Sequence, residues 1–454
     1  MHQNNLFKTE NEINPTNFGE ALQQAIEIEI ATIPVYLYTY YSINRSPNQD
    51  AISGSIAQAL VRKGTPVGEA NATALNLSAD IMVFANKAGA LIMSVAIEEM
   101  LHMALSSNVK QALVGHPDLT GKSPSVWPTC LPGHVPEFEI NKAPLSLDQL
   151  MTFLKIESPK PLPEKQLLGA IPYRTIGEFY KMIKEYITGN DLVYHDRPQL
   201  VPGRGYYAQN NIDTTYYDKE HKAHLVNNPD SGDLITVHDR NSALMAIDII
   251  VEQGEGNEDA PGLTDKGGVD CTLYPSDYDY PDFKELSHFE KFARIYCRYE
   301  YLNHQFDKLG IGVDDIGIYF VNKIATNPVT ADYPANIQAM SNLLNAVYTY
   351  IFVMTEGCYK KDGHTQYEIF MFGIHKSMIF ILNSLCGQIM GMSYTDKKDG
   401  KTTYMAAPTF EDYPFGLVSS PKQQVIATYN AAIAAGIDVS YLGQRIQDLP
   451  DVAL

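Results

Sequence analysis

Apolar residues along this chain recur mainly at spacings of three and four, the signature of helices packed by one face. Leu22, Ile26, Ile30, Ile33 and Leu37 mark a first helix over about Asn17–Ser42, with Pro34 inside it and a bend predicted near Ile30. A second, more uniformly apolar helix is predicted over Ser78–Val114, stopped by Gly115 and Pro117. A proline-rich excursion follows to Pro172, with one helix near Leu147–Ile156. Further helices are predicted at Thr175–Thr188, Asn241–Gln253, Phe283–His304, Ala335–Glu356 and Glu368–Met392, and the tail from Met405 reads as loop and a short helix. Asp191–Asp239, rich in Tyr, Asn, Asp and Pro, carries no period and reads as a structured loop or lid. Strand patterns are scarce. The predicted architecture is all-α: a four-helix bundle over residues 1–305 with long loops, and additional C-terminal helices over 306–454 packed on it.

Composition narrows the class. Fifty-three acidic against 34 basic residues give a formal charge of −19, a field that repels nucleic acid and anionic lipid. The polar start, MHQNNLFKTENEINPTN, has no apolar h-region, and a cytoplasmic address is expected. The five cysteines are scattered and never form Cys-x-x-Cys, so no disulfide framework follows from spacing. The apolar run Glu368–Met392 is long enough for a bilayer, but His375, Lys376, Asn383 and Gln388 interrupt it; buried core is the reading favoured over a span.

Two Glu-x-x-His motifs carry the candidate chemistry: Glu99/His102 in AIEEMLHM and Glu285/His288 in ELSHFEKF. Residues three apart share a helix face, and bundles that hold paired metals use such motifs on two helices with single glutamates on the other two. With 12 histidines in 454 residues, about one accidental match is expected, so spacing alone decides little. Context adds weight, because His102 lies between Leu101 and Met103. Glu27 and Glu29 sit in another apolar run, AIEIEIATIPVYLY; two residues apart, they cannot share a face, and Glu29 is the candidate for the interior. Glu178 closes a capping box, Thr175-Ile176-Gly177-Glu178, which by itself favours a cap over a ligand. Glu252 and Glu255 lie at a helix end and are compatible with either a ligand or a solvated terminus. Tyr36, Tyr40 and Tyr180 are candidates for a pocket lining.

The ordered set AIEIEIATIPVYLYTYYSI, IEEMLHMALSSNVKQALVGHP, TIGEFYKMI, AIDIIVEQGEG and ELSHFEKF, with FVNKIATNP, LLNAVYTYIF and AAPTFEDYP further on, resembles the ferritin-like family that includes the iminophenylpyruvate dimer synthase of violacein-type pathways. The resemblance spans most of residues 15–415. It implies a metal centre of two non-haem iron ions, or manganese, held by Glu29, Glu99, His102, Glu178, Glu252 and His288. It also implies an O₂-dependent oxidoreductase acting on a small organic substrate such as an amino-acid-derived imine, with a homo-oligomer as a further expectation. Ile30 departs from the pattern where a histidine is expected, and the synthase is a much longer chain with an added N-terminal region. A non-catalytic ferritin-like accessory protein that still binds metal is the alternative these residues leave open.

Overall fold

The computed structural model describes residues 12–162, 171–201, 234–256, 260–274 and 286–454. Helix α1 (Phe18–Ser42) runs unbroken through Pro34. It lies along α3 (Val67–Leu113), the central element of the molecule. From Phe84 to Ala112 every residue of α3 except Met100 is buried, so this helix is covered on all sides. A helix so placed must be apolar all round, and any charge on it has to find its partner inside the protein.

Helix α2 (Gln49–Arg62) pairs with the first third of α3 and was not expected from the sequence. Its start is capped by Asn48, whose side chain accepts from the Ala51 N–H at 3.0 Å. The matching face of α3 buries Ala70, Ala74 and Ser78, a stripe of small residues at four-residue spacing. Such a stripe lets two backbones approach closely but carries almost no hydrophobic signal, which is why α3 begins well before the predicted Ser78.

Helix α4 (Leu147–Ile156) is capped by Ser146 and packs on α7 (His288–Leu309). Helices α5 (Ile176–Gly189) and α6 (Arg240–Gly254) pack together, and α6 also lies against α3. The start of α7 is fixed by a reciprocal box: Ser287 Oγ accepts from the Glu290 N–H, and the Glu290 carboxylate accepts from the Ser287 N–H. That box, Ser-His-Phe-Glu, places His288 in the first turn rather than mid-helix, five residues after the predicted start at Phe283. Most of the 191–239 segment, read as a lid, lies outside the described residues.

In the C-terminal part, α8 (Ala335–Tyr359) packs on α9 (Gly363–Met390), which contains two π-helical stretches, and on α10 (Pro421–Ala434). An antiparallel hairpin, β1 (Ser393–Thr395) with β2 (Thr403–Met405), and α11 (Gly443–Gln447) complete it. Hydrogen bonds tie α8 to the central helix: Tyr359 Oη donates to the Ala104 carbonyl at 3.1 Å, and Gln111 Nε2 to the Tyr359 carbonyl at 2.9 Å. Helices α3 and α9 are long and apolar enough to cross a membrane by length and composition, and 83% and 56% of their apolar windows are buried in the fold.

The cysteines depart from the sequence reading. Cys271 and Cys297 form a disulfide with Cα atoms 5.4 Å apart, tying the loop before α7 to the helix itself. The pair is 26 residues apart and becomes adjacent only when the loop folds back on α7, so spacing could not reveal it. Closing a loop of that length restrains the unfolded chain by about 3–4 kcal/mol. The oxidised protein is therefore expected to lose roughly that much stability in the Cys271→Ser/Cys297→Ser double variant, read by urea denaturation. Equal midpoints and slopes for the two proteins would count against the bridge as a stabilising element.

Candidate metal centre

Three titratable residues of the covered helix α3 meet residues from four other segments in one buried cluster. Glu98, Glu99 and His102 come from α3, Glu29 from α1, Glu157 from the C-terminal cap of α4, Glu255 from the cap of α6, and His288 and Lys291 from the first turn of α7. All of these are at least 95% buried. Ligand atoms of Glu99, His102 and His288 all lie within 4.8 Å of one another. The two imidazoles stack with ring centroids 5.2 Å apart.

Each ring uses its two nitrogens differently. His102 Nε2 is 2.9 Å from Gln253 Oε1, and His288 Nε2 is 3.0 Å from Glu98 Oε2. Both partners are acceptors, so both Nε2 atoms carry a proton, and each Nδ1 is the nitrogen left to face the carboxylates. His102 Nδ1 faces Glu29 at 3.7 Å. His288 Nδ1 faces Glu99 at 2.9 Å and Glu157 at 3.5 Å, off the line of a hydrogen bond to either.

Neutral donors hold the outer carboxylate oxygens. Thr32 Oγ1 donates to Glu99 at 2.9 Å. Tyr180 Oη donates to Glu29 and lies 2.8 Å from Ser106 Oγ, and Tyr36 Oη donates to Glu157. Of the three expected lining tyrosines, Tyr40 is elsewhere, under the Arg45 guanidinium. Glu255 Oε1 accepts from the Gly177 N–H at 2.8 Å at the start of α5, and a Cβ on Gly177 would lie 2.3 Å from Glu255 Oε2. Any larger residue at 177 would have to displace that carboxylate.

The titration behaviour records crowding of negative charge. Burial, reinforced by the Glu99 charge, lifts Glu29 well above the usual carboxylate range and raises Glu157. Burial pushes Glu255 up to about 8 despite the Gly177 N–H. Burial would also lift Glu98 and Glu99. Lys291 and His288 outweigh it at Glu98, the two imidazoles do so at Glu99, and both carboxyls are held down at about 2. Burial pushes His102 down to about 4 against the pull of Glu99, while His288 is lifted, against burial, by Glu157, Glu98 and Glu99.

Four of the six residues expected as ligands, Glu29, Glu99, His102 and His288, are thus brought together. Glu178 and Glu252 are not. The Glu178 carboxylate accepts from the Arg174 backbone N–H at 2.8 Å and pairs with the Arg174 guanidinium, while its own N–H donates to Thr175 Oγ1 at 3.0 Å. Thr175 caps α5 as the local sequence describes, but the box does not close: the Glu178 carboxylate takes the Arg174 N–H in place of that of Thr175. Glu252 is exposed because the inner stripe of α6 runs through Ala246, Ile247, Ile250 and Gln253, which leaves position 252 on the far side. Three residues on, Glu255 reaches the cluster. Glu285 lies outside the described residues.

Glu157 and Glu98 were missed. Glu157 follows a ten-residue helix and precedes Ser-Pro, a context that reads as a solvated end, and its burial depends on α4 docking on α7. Glu98 is adjacent to Glu99, so only a helix covered on every side could bury both. The uniformly apolar surroundings of α3 are the one signal that could have pointed to it. For Glu178→Gln the expected outcome is unchanged metal content and a stability loss of roughly 0.5–1 kcal/mol, typical of a weakened cap. A marked loss of bound metal would restore it as a ligand.

A model of the ferritin-like family matches residues 22–297, which span every element that contributes to the cluster. The chain belongs to the ferritin-like family. It is 27% identical over 308 residues to dichlorochromopyrrolate synthase of Lentzea aerocolonigenes, an alignment that covers 62% of this chain and 24% of that enzyme. The chain thus spans about a quarter of that relative's length. A ferritin-like protein from Caulobacter vibrioides superposes with a TM-score of 0.42 at 18% identity, over 82% of this chain and 96% of that one.

Proposed function

We propose that this ferritin-like protein is a non-haem oxidoreductase whose cluster holds two divalent ions, iron or manganese, and which uses O₂ to oxidise a small organic molecule. The observation that carries the reading is a charge imbalance. Five buried carboxylates (Glu29, Glu98, Glu99, Glu157, Glu255) face a single permanent cation, Lys291. With all five ionised, that would leave four negative charges among the described residues, the charge of two divalent ions. Two helices, α4 and α6, also end at the cluster and direct the negative ends of their dipoles at it. A dry site with this excess is costly unless cations or protons offset it.

The donor set fits hard or borderline ions, being carboxylate oxygen and imidazole nitrogen without sulfur. Glu29, Glu99 and His102 would hold one ion, and Glu99, Glu157 and His288 the other, with Glu255 within reach at the edge. Bound ions would supply the reducing equivalents that activate O₂. The chain's own residues exclude water and keep protons at hand. Burial, with the Glu29 and Glu157 charges beside them, lifts Tyr180 and Tyr36 well above the ordinary phenol range, so both stay protonated donors.

Access supports a small substrate. A surface cleft of about 920 Å³ lies between Pro159, Pro161, Arg174, Lys181 and Met182. It shares Gly177, Val251 and Glu255 with the inner pocket, whose free volume is only about 10 Å³. A molecule in the cleft would therefore be parted from the cluster by the wall that Gly177, Val251 and Glu255 form between the two cavities. The sequence resemblance to the family of the iminophenylpyruvate dimer synthase favours an amino-acid-derived imine as the substrate, and the likeness to dichlorochromopyrrolate synthase a biosynthetic setting. Metal analysis of protein purified without chelating tags, combined with an oxygen electrode, tests the reading. About two ions per chain with O₂ uptake under reductant is expected. Protein that binds no metal under any loading condition ends it, and metal without O₂ uptake leaves the accessory-protein alternative.

A further inference from the structure

The two imidazoles have the same orientation but different anchors. His102 Nε2–H donates to the neutral amide oxygen of Gln253 at 2.9 Å. His288 Nε2–H donates to the Glu98 carboxylate at 3.0 Å, and that carboxylate is paired with the Lys291 ammonium from the same turn of α7. Glu98 is one residue from Glu99, yet it faces the opposite nitrogen of His288. It is thus placed to orient a ligand rather than to be one.

From this, resting on the two-metal reading, we infer that the Lys291–Glu98 pair and Gln253 make the two metal positions unequal, so that the ion held through His288 binds first and more tightly than the ion held through His102. A hydrogen bond from the outer N–H of an imidazole to an anionic oxygen raises the electron density at the other nitrogen, whereas an amide does so weakly. Lys291 reaches Glu98 from the same turn of α7 that carries His288, which holds that carboxylate oxygen on the Nε2 side of the ring. The pair also locks the Nε2–H tautomer of His288, leaving Nδ1 toward Glu99 and Glu157. Gln253, in the last turn of α6, locks the tautomer of His102 without adding charge.

The test is an anaerobic titration of the metal-stripped full chain with cobalt(II), followed by visible absorption and calorimetry. The wild type is expected to bind two ions in separate steps. In Glu98→Gln/Lys291→Met, which removes both charges together and leaves neither buried alone, the tighter step should weaken 10- to 100-fold while the weaker step holds. Gln253→Glu should strengthen the weaker step about tenfold and bring the two together, and this variant decides the matter if the double variant does not fold. Two equal steps in the wild type, or variants that shift neither step or both alike, would overturn the inequality and leave the two-metal reading standing. A wild type that takes up no cobalt would end both.

Discussion

His102→Ala and His288→Ala are expected to lose metal unequally: about one of two ions for His102→Ala and most of both for His288→Ala. Each change removes an imidazole whose Nδ1 faces the carboxylate cluster, while bundle packing rests on the Leu, Ile and Met positions of α1 and α3. Removing His102 leaves a pocket edged by Gln253. Removing His288 also takes a hydrogen-bond partner from the buried Glu98, which stays paired with Lys291, so its variant should show the larger disorder of the site. A ligand that binds only the folded state stabilises it by about 2.7 kcal/mol at a hundred times its Kd. Added metal should accordingly raise the melting temperature of the wild type by several degrees, that of His102→Ala by less, and that of His288→Ala barely at all. If both variants instead keep wild-type metal and lose only roughly 1–3 kcal/mol of stability, the imidazoles are core residues with satisfied hydrogen bonds. The oxidoreductase reading would then fail.

What the sequence disclosed and what it concealed divide along physical lines. Helix α4 was legible to the residue because its serine cap and its leucine and phenylalanine stripe are local signals. Glu29 was legible because a carboxylate inside an apolar helical run must be paired. Helix α2 and the early part of α3 were hidden by their mode of packing, since Ala70, Ala74 and Ser78 contribute closeness rather than hydrophobicity. The buried cluster was half legible for a similar reason. Residues on long helices announce their burial through their neighbours, as His102 does, whereas Glu157 and Glu255 sit at helix caps, where burial is decided by tertiary docking. At Glu178 the local signal and the family resemblance point different ways: the threonine cap of α5 was readable from four residues, and the carboxylate lies beside it, paired with Arg174.

The bundle and the C-terminal part meet at a buried lysine, and its ionisation links stability to pH. Lys142 is fully buried; its Nζ donates to the Thr409 carbonyl, lies 3.5 Å from the Pro328 carbonyl and sits 5.1 Å from the Trp127 ring centroid. Its backbone is bonded both ways to Asn327, and Thr409 Oγ1 is bonded to Asn345 on α8. Burial pushes the ammonium down to about 7, against the pull of Glu411. In the unfolded chain a lysine titrates near 10.5, so between about pH 7 and 10.5 the unfolded state holds a proton that the folded state has released. Stability then rises with pH across this window, by about 1.4 kcal/mol per unit and roughly 4–5 kcal/mol in all. Below pH 7 both states are protonated and the full cost of burying the charge is present; above 10.5 neither is, and that cost is gone. Lys142→Met has no such proton. The difference in unfolding free energy between wild type and Lys142→Met, measured in urea at half-unit steps from pH 6 to 10, should therefore move steadily in favour of the wild type as pH rises past 7. Parallel curves would show that Lys142 stays charged in the fold, with the Thr409 and Pro328 carbonyls and the Trp127 ring replacing its water.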